Sequence, residues 1–223
     1  MASRTRRPER RREPLSRERI VRAAVELLDT VGEAGLTFRA LAERLATGPG
    51  AIYWHVTGKA ELLGAAADAV LAEAIAEEDA GATPREAIRA VAVGVFDAID
   101  AHPWLGAQLA RAPSGSPTLR IFERVGRQVQ ALGVREARQF TAASALWNYI
   151  LGVAGQNAAN TRMVEPGTNR AEYLDAVATA WAELDPEQYP FTRTVAGRLR
   201  GHDDRVEFLA GVDLIVAGIT AHR

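Results

Sequence analysis

From Ser16 onward, apolar side chains return every three or four residues, and that spacing admits one fold class. In "RERIVRAAVELLDTVG", Ile20, Ala23, Ala24, Leu27, Leu28 and Val31 fall on one face of a helix that Ser16 can cap and that Gly32 and Gly35 end. Thr37 then opens a second, short helix with Phe38, Leu41, Ala42 and Leu45 inward, and Gly48-Pro49-Gly50 stops it. A third short helix takes Ala51 to Val56, a Thr57-Gly58 turn follows, and a long helix runs over 59–79. Later starts are marked by capping residues. Thr83, Pro84 and Glu86 form one capping box, "SPTL" (116–119) repeats the Ser-Pro start, and Asn169 pairs with Glu172. The remaining expected helices are 84–101, 103–111, 117–131, 135–161, 170–183 and 204–221. Candidate strands are too short and isolated to count, so the expected fold is all-α.

Composition narrows the function. With 223 residues, 48% hydrophobic and 25% charged, the chain can build a sizeable core as one or two domains. It has no cysteine, which excludes disulfides and thiolate metal sites. No apolar run approaches the roughly 20 residues that span a bilayer, and the arginine-rich start does not resemble a secretory leader. A cytoplasmic protein is expected. The formal net charge of −1 hides an asymmetry. Residues 1–60 hold Lys59, the only lysine, and eleven arginines against seven acids, so a basic front precedes an acidic body. Residues 1–15, rich in Arg, Glu and Pro, read as a disordered basic arm, either inert or tracking phosphates or an adjacent minor groove.

The stretch "GPGAIYWHVTGKAEL" (48–62) carries the chemistry. Three short helices, the last two joined by a tight turn, suit a helix-turn-helix. Ile52 and Val56 form the inward face, Trp54 is expected to be shared with the long helix that follows, and Ala51, Tyr53 and His55 point outward. A phenol and an imidazole can bond phosphate oxygens or base edges, and the small Ala51 lets the helix lie close in a groove. Lys59 offers an ammonium and a helix N-terminus to one phosphate. The competing reading is an αα-hairpin whose Tyr and Trp are core.

The segment "LTFRALAERLATGPGAIYWHVTGKAELL" (36–63) resembles the N-terminal DNA-binding domain of the TetR family of bacterial regulators, and the similarity extends back through Ser16. The resemblance implies that Tyr53 and His55 contact DNA, Lys59 binds a phosphate, Thr37 touches the backbone and Arg39 reaches a base edge. Pro49, Gly50 and Ala51 replace the polar residues usual at the start of the family's recognition helix, so base readout there should differ. The domains expected are a helix-turn-helix over 16–62 and a helical ligand-binding and dimerisation domain over 63–223.

For the body the resemblance is architectural: it implies a small-molecule effector and a homodimer. Two glycine-bearing helices suit the pairing role. In 135–161 the stripe is Phe140, Ala143, Trp147, Ile150, Leu151 and Ala154; in 204–221 it is Val206, Leu209, Val212, Ile215, Val216 and Ile219. Candidate ligand-lining residues are Phe96, Trp104, Phe122, Trp147, Asn148, Tyr149, Gln156, Asn157 and Trp181, with Asn148, Gln156 and Asn157 the polar members. The histidines (55, 102, 202 and 222) include no i, i+4 pair, so no helical metal pair appears. The stretch after His102, "PWLGAQLARAPSGSP", holds no histidine, so the magnesium site that the resemblance would suggest is not carried over. His102 reads as a turn or cap residue. No catalytic constellation and no cofactor motif stand out. The expectation is a ligand-released, homodimeric repressor on a palindromic operator, with a ligand-independent regulator or activator as the alternative.

Overall fold

A computed structural model describes residues 14–75, 81–111, 116–163 and 169–221, and the chain divides into two compact units at Ala66/Ala67. The arm 1–15 lies outside the described residues except for Pro14 and Leu15, and so does the expected end of the long helix at 76–79. No strand forms among the described residues, as the apolar spacing requires.

In the first unit, α1 (Arg17–Gly35) starts at Ser16, whose Oγ accepts from the Arg19 N–H at 3.3 Å. Gly32, at φ 68° and ψ −176°, breaks the helix one turn before its end, a backbone state that only glycine adopts at little cost. α2 (Phe38–Leu45) is capped by Thr37, whose hydroxyl accepts from the Ala40 N–H at 3.1 Å. Its C-terminus departs from expectation. Ala46 turns left-handed at φ 51° and closes the helix, with the Thr47 N–H reaching the Ala42 carbonyl at 3.0 Å. Pro49 is therefore not a stop; it is the first residue of α3 (Pro49–Tyr53), where its missing N–H costs nothing. α3 ends at Tyr53 rather than Val56, although the His55 and Val56 N–H groups still wind back onto the Ile52 carbonyl. Ile20, Leu41, Ile52, Val56 and Leu62 make the fully buried centre of this unit.

α4 (Lys59–Ala74) carries the chain into the second unit. There α5 (Pro84–Ala101) begins with the expected capping box, Thr83 and Glu86 each satisfying the other's backbone. α6 (Trp104–Arg111), α7 (Ser116–Ala131), α8 (Glu136–Met163) and α11 (Asp204–Ala221) pack with α5 around Val95, Ile99, Ile121, Leu146, Ile150 and Phe208. Gly94 of α5 lies against the Ala74 carbonyl at the end of α4, where a Cβ would collide. Two ion-pair sets tie α5 to α11. Arg205 grips Asp97 through two bonds at 3.1 and 2.9 Å, and Asp213 takes both Arg89 and Arg85.

Between α8 and α11, α9 (Arg170–Glu183), α10 (Pro190–Val195) and a 3-10 turn (Ala196–Gly201) pack chiefly on one another. The elements after Glu183 were not expected. Asp204 accepts from Arg170 at 2.5 Å and contacts His202 Nε2 at 3.1 Å, so one carboxylate ties both ends of this excursion. The expected pairing stripes need correction as well. Ala143, Ile150 and Ala154 on α8, and Val212 and Val216 on α11, are buried inside the single chain. The faces left open carry Ala145, Asn148 and Gly152 on α8, and Val206, Ala210, Leu214 and Ala217 on α11. The stripes read from spacing are therefore split: their buried members fill the protomer's own core, whereas Phe140 and Val206 stay exposed at 75% and 62%.

Candidate nucleic-acid interface

Ile52 and Val56 anchor α3 and its trailing turn, at 0% and 1% exposure. That anchoring forces their neighbours outward. Tyr53 is 56% exposed, Ala51 and His55 are half-buried, and Trp54 is 90% exposed. The expected packing of Trp54 on the following helix does not occur. Because α3 is only five residues long, Trp54 falls on the turn beyond it, directed at solvent. Tyr53 stacks on Phe38, ring centroids 4.5 Å apart and planes within 6°. Phe38 itself is half-buried rather than inward like Leu41.

Thr37 and Arg39 flank this pair on the first turn of α2. The Thr37 hydroxyl spends an acceptor lone pair on the helix cap and keeps its O–H to donate. Arg39 is paired with Glu43, four residues on, at 3.3 Å, and its side chain is 88% exposed. An exposed pair of that kind is worth about 0.3–0.5 kcal/mol and yields readily to a phosphate or base edge. Lys59 is placed differently: its Nζ donates to the Glu33 carbonyl at 2.6 Å, close to the break in α1. One ammonium N–H is thereby engaged, and two remain. Beside it, the Thr57 N–H and Oγ both reach the Glu61 carboxylate at 2.7 Å, and Arg17 meets the same group at 2.8 Å. The backbone and hydroxyl bonds from Thr57, opposed by a little desolvation and aided by Arg17, hold Glu61 below the usual carboxylate range. It stays ionised as a cap for α4.

In the body the expected ligand residues scatter. Phe96 is buried and stacks on Phe208 at 4.8 Å, and Trp104 is buried with its edge toward His102, whose backbone caps α5. Phe122 and Trp147 are half-buried, Trp181 sits half-buried on α9, and Asn148 is exposed. Tyr149, Gln156 and Asn157 do come together, lining a cleft of about 300 Å³ with His202, Glu207 and Phe208. Tyr149 donates to the Phe208 carbonyl at 3.1 Å over Gly211, where a Cβ would strike the phenol. Desolvation first, and the Glu207 charge second, raise the Tyr149 pKa. Asn157 reaches Asp100 at 3.4 Å, and Gln156 is exposed, so the expected amides are not buried groups lacking partners. The lining residues from 202–208 were missed because no spacing signal links them to α8.

An all-α chain with a capped, aromatic helix-turn-helix at its front and a separate helical unit behind it has the build of a bacterial transcription regulator. The comparisons specify which. Residues 20–66 match the family described as bacterial regulatory proteins, tetR family, and residues 78–223 match the tetracyclin repressor-like C-terminal domain. The chain belongs to the TetR family. An HTH-type transcriptional regulator of Saccharopolyspora erythraea is 33% identical over 212 residues, spanning 93% of this chain and 85% of that protein. A TetR transcriptional regulator from Streptomyces coelicolor of solved structure is 65% identical, covering 94% of this chain and 100% of that one, with a TM-score of 0.87. Streptomyces coelicolor ActR in complex with actinorhodin is 26% identical at a TM-score of 0.75, covering 94% of this chain and 98% of its own. BioQ with its natural double-stranded DNA operator is 29% identical at a TM-score of 0.60, covering 94% and 100%. No described helix is long and apolar enough to cross a membrane.

Proposed function

We propose that this regulator is a cytoplasmic homodimeric repressor that grips a palindromic operator and is released by a small molecule. The observation that carries the reading is the exposed ridge formed by Thr37, Arg39, Tyr53 and the His55 turn, held above a fully buried Ile52 and Val56. Ala51 lets α3 approach the major groove, Tyr53 and His55 meet base edges or phosphates, and Arg39 exchanges Glu43 for the DNA. Lys59 turns a free N–H to a phosphate at the start of α4 without leaving Glu33. The BioQ complex with its operator supports DNA as partner, and the ActR complex with actinorhodin supports an organic effector.

The open faces of α8 and α11 are the pairing surfaces. Leu214 is 75% and Val206 62% exposed there, amid alanines and glycines that allow close helix contact. A two-fold dimer requires an operator with inverted half-sites about 34 Å apart or a multiple of it. Effector binding in the body, at the cleft holding Tyr149, Gln156 and Asn157 or elsewhere among the candidates, favours an arrangement in which the two heads miss that spacing, with α4 as the lever. Moving the population from nearly all bound to nearly all released needs a preference of about 5.5 kcal/mol between the arrangements. Selection of duplexes from a random library by the full-length protein, followed by footprinting, tests this. An inverted repeat protected on one face supports it, and a single unpaired site sinks the dimeric reading.

A further inference from the structure

We infer that Phe38 is a positioning residue for Tyr53, fixing the phenol on the DNA-facing ridge before DNA arrives; this rests on the reading of Tyr53 as a DNA contact. Phe38 is the first residue of α2 and Tyr53 the last of α3, so the stack joins the two helices of the motif at their outer corner. Neither ring belongs to the buried centre built from Ile20, Leu41, Ile52 and Val56. The flat-on geometry, 4.5 Å and 6°, therefore serves something other than core filling. A tyrosine as exposed as this one ordinarily samples several staggered side-chain wells on a nanosecond timescale. Pressed against a second ring, it keeps one.

The consequence is on affinity. Immobilising a free side chain at an interface weakens binding by a factor of about 2–12, and a phenol already held escapes that loss. The same stack sets the distance between Tyr53 and the Thr37–Arg39 turn, because Phe38 lies between those two residues in the chain. Ring shape is what matters. Leucine would fill similar volume and still leave the phenol free to turn, whereas a second tyrosine would keep it flat.

The test is a double-mutant cycle on full-length protein, using a duplex obtained by selection with the wild type. Operator affinity is read by fluorescence anisotropy for Phe38→Leu, Phe38→Tyr, Tyr53→Ala and the Phe38→Leu/Tyr53→Ala pair, with folding of each checked by circular dichroism. The expected result is a loss of about 3- to 10-fold for Phe38→Leu and less than about 2-fold for Phe38→Tyr. Phe38→Leu should add less than about 2-fold once Tyr53 is already alanine, since the effect passes through that ring. In the free protein, Tyr53 ring protons shielded by the Phe38 face should move downfield in Phe38→Leu and stay in place in Phe38→Tyr. Should Phe38→Leu not fold, Phe38→Met, also without a flat ring, replaces it. Unchanged binding in Phe38→Leu, or losses that multiply in the pair, overturns the positioning role while leaving Tyr53 a contact. No loss in Tyr53→Ala overturns the contact reading, and this inference with it.

Discussion

Trp54 leaves most of an indole in water, at 90% exposure well beyond the 56% of Tyr53 and the 54% of Val31 in the same unit. It holds nothing together, so replacing it should cost little. Trp54→Ala is expected to change the unfolding free energy by less than about 0.5 kcal/mol in a denaturant titration. It stands beside Tyr53 and His55 on the face proposed to meet DNA, so the same variant should bind operator more weakly. Lys59 differs, because its ammonium holds the Glu33 carbonyl and is also proposed to meet a phosphate. Lys59→Met should lower the slope of log affinity against log salt by about 0.9, the signature of one lost phosphate contact. It should also loosen the head, since the Glu33 carbonyl loses its donor. An unaltered salt slope would leave Lys59 as a fold residue alone. The anchors of this surface were readable in advance: Ile52 and Val56, four apart, could only be one helical face. Trp54 was not, because its environment depends on where a five-residue helix stops, and no local signal marks that point.

Among the elements, those opened by a capping residue stand where the residues place them, as with Ser16, Thr37 and the Thr83–Glu86 box. Errors gather where one residue type has two uses. Pro49 can stop a helix or start one, and the left-handed Ala46 had already stopped α2, so the proline was left to begin α3. α10 and the 3-10 turn are each six residues long, too short for periodicity to register. Helix contacts are sharper than sequence can express. Gly94→Ala would drive a methyl into the Ala74 carbonyl and displace the last turn of α4, an expected loss of about 1–3 kcal/mol by thermal denaturation. Asp213 gives a pH signature. Burial works to raise its pKa, but bonds from Arg89 and Arg85 outweigh that and hold it below its ordinary value of 3.8. A depressed carboxylate stabilises the fold above its unfolded pKa, and that stabilisation is lost as pH falls below about 3.8 through the folded value. Stability measured between pH 5 and 2 should therefore fall less steeply in Asp213→Asn than in the wild type.

At the scale of the whole molecule, the open faces of α8 and α11 are the surfaces proposed to pair two chains. Leu214→Asp should leave the helical content intact, convert a dimer to monomers in sedimentation velocity, and abolish tight operator binding by removing the second head. A variant that still sediments as a dimer would place the pairing surface elsewhere. The body's architecture was legible from apolar spacing, and the cleft on it largely was not. Tyr149, Gln156 and Asn157 sit within nine residues of one helix, but the opposite wall arrives from beyond Gly201, brought there by an excursion whose second half gave no signal. Both ends of that excursion meet at a single carboxylate. With Arg170 and His202 both fastened to Asp204, and α9, α10 and the 3-10 turn packed chiefly on one another, residues between them should open as one cassette while the bundle stays shut. Their amides should trade hydrogen for deuterium together and ahead of those in α5 and α8. Lengthening or exchanging the stretch from Asp185 to Tyr189, in the interior of that cassette, should be tolerated by the rest of the chain.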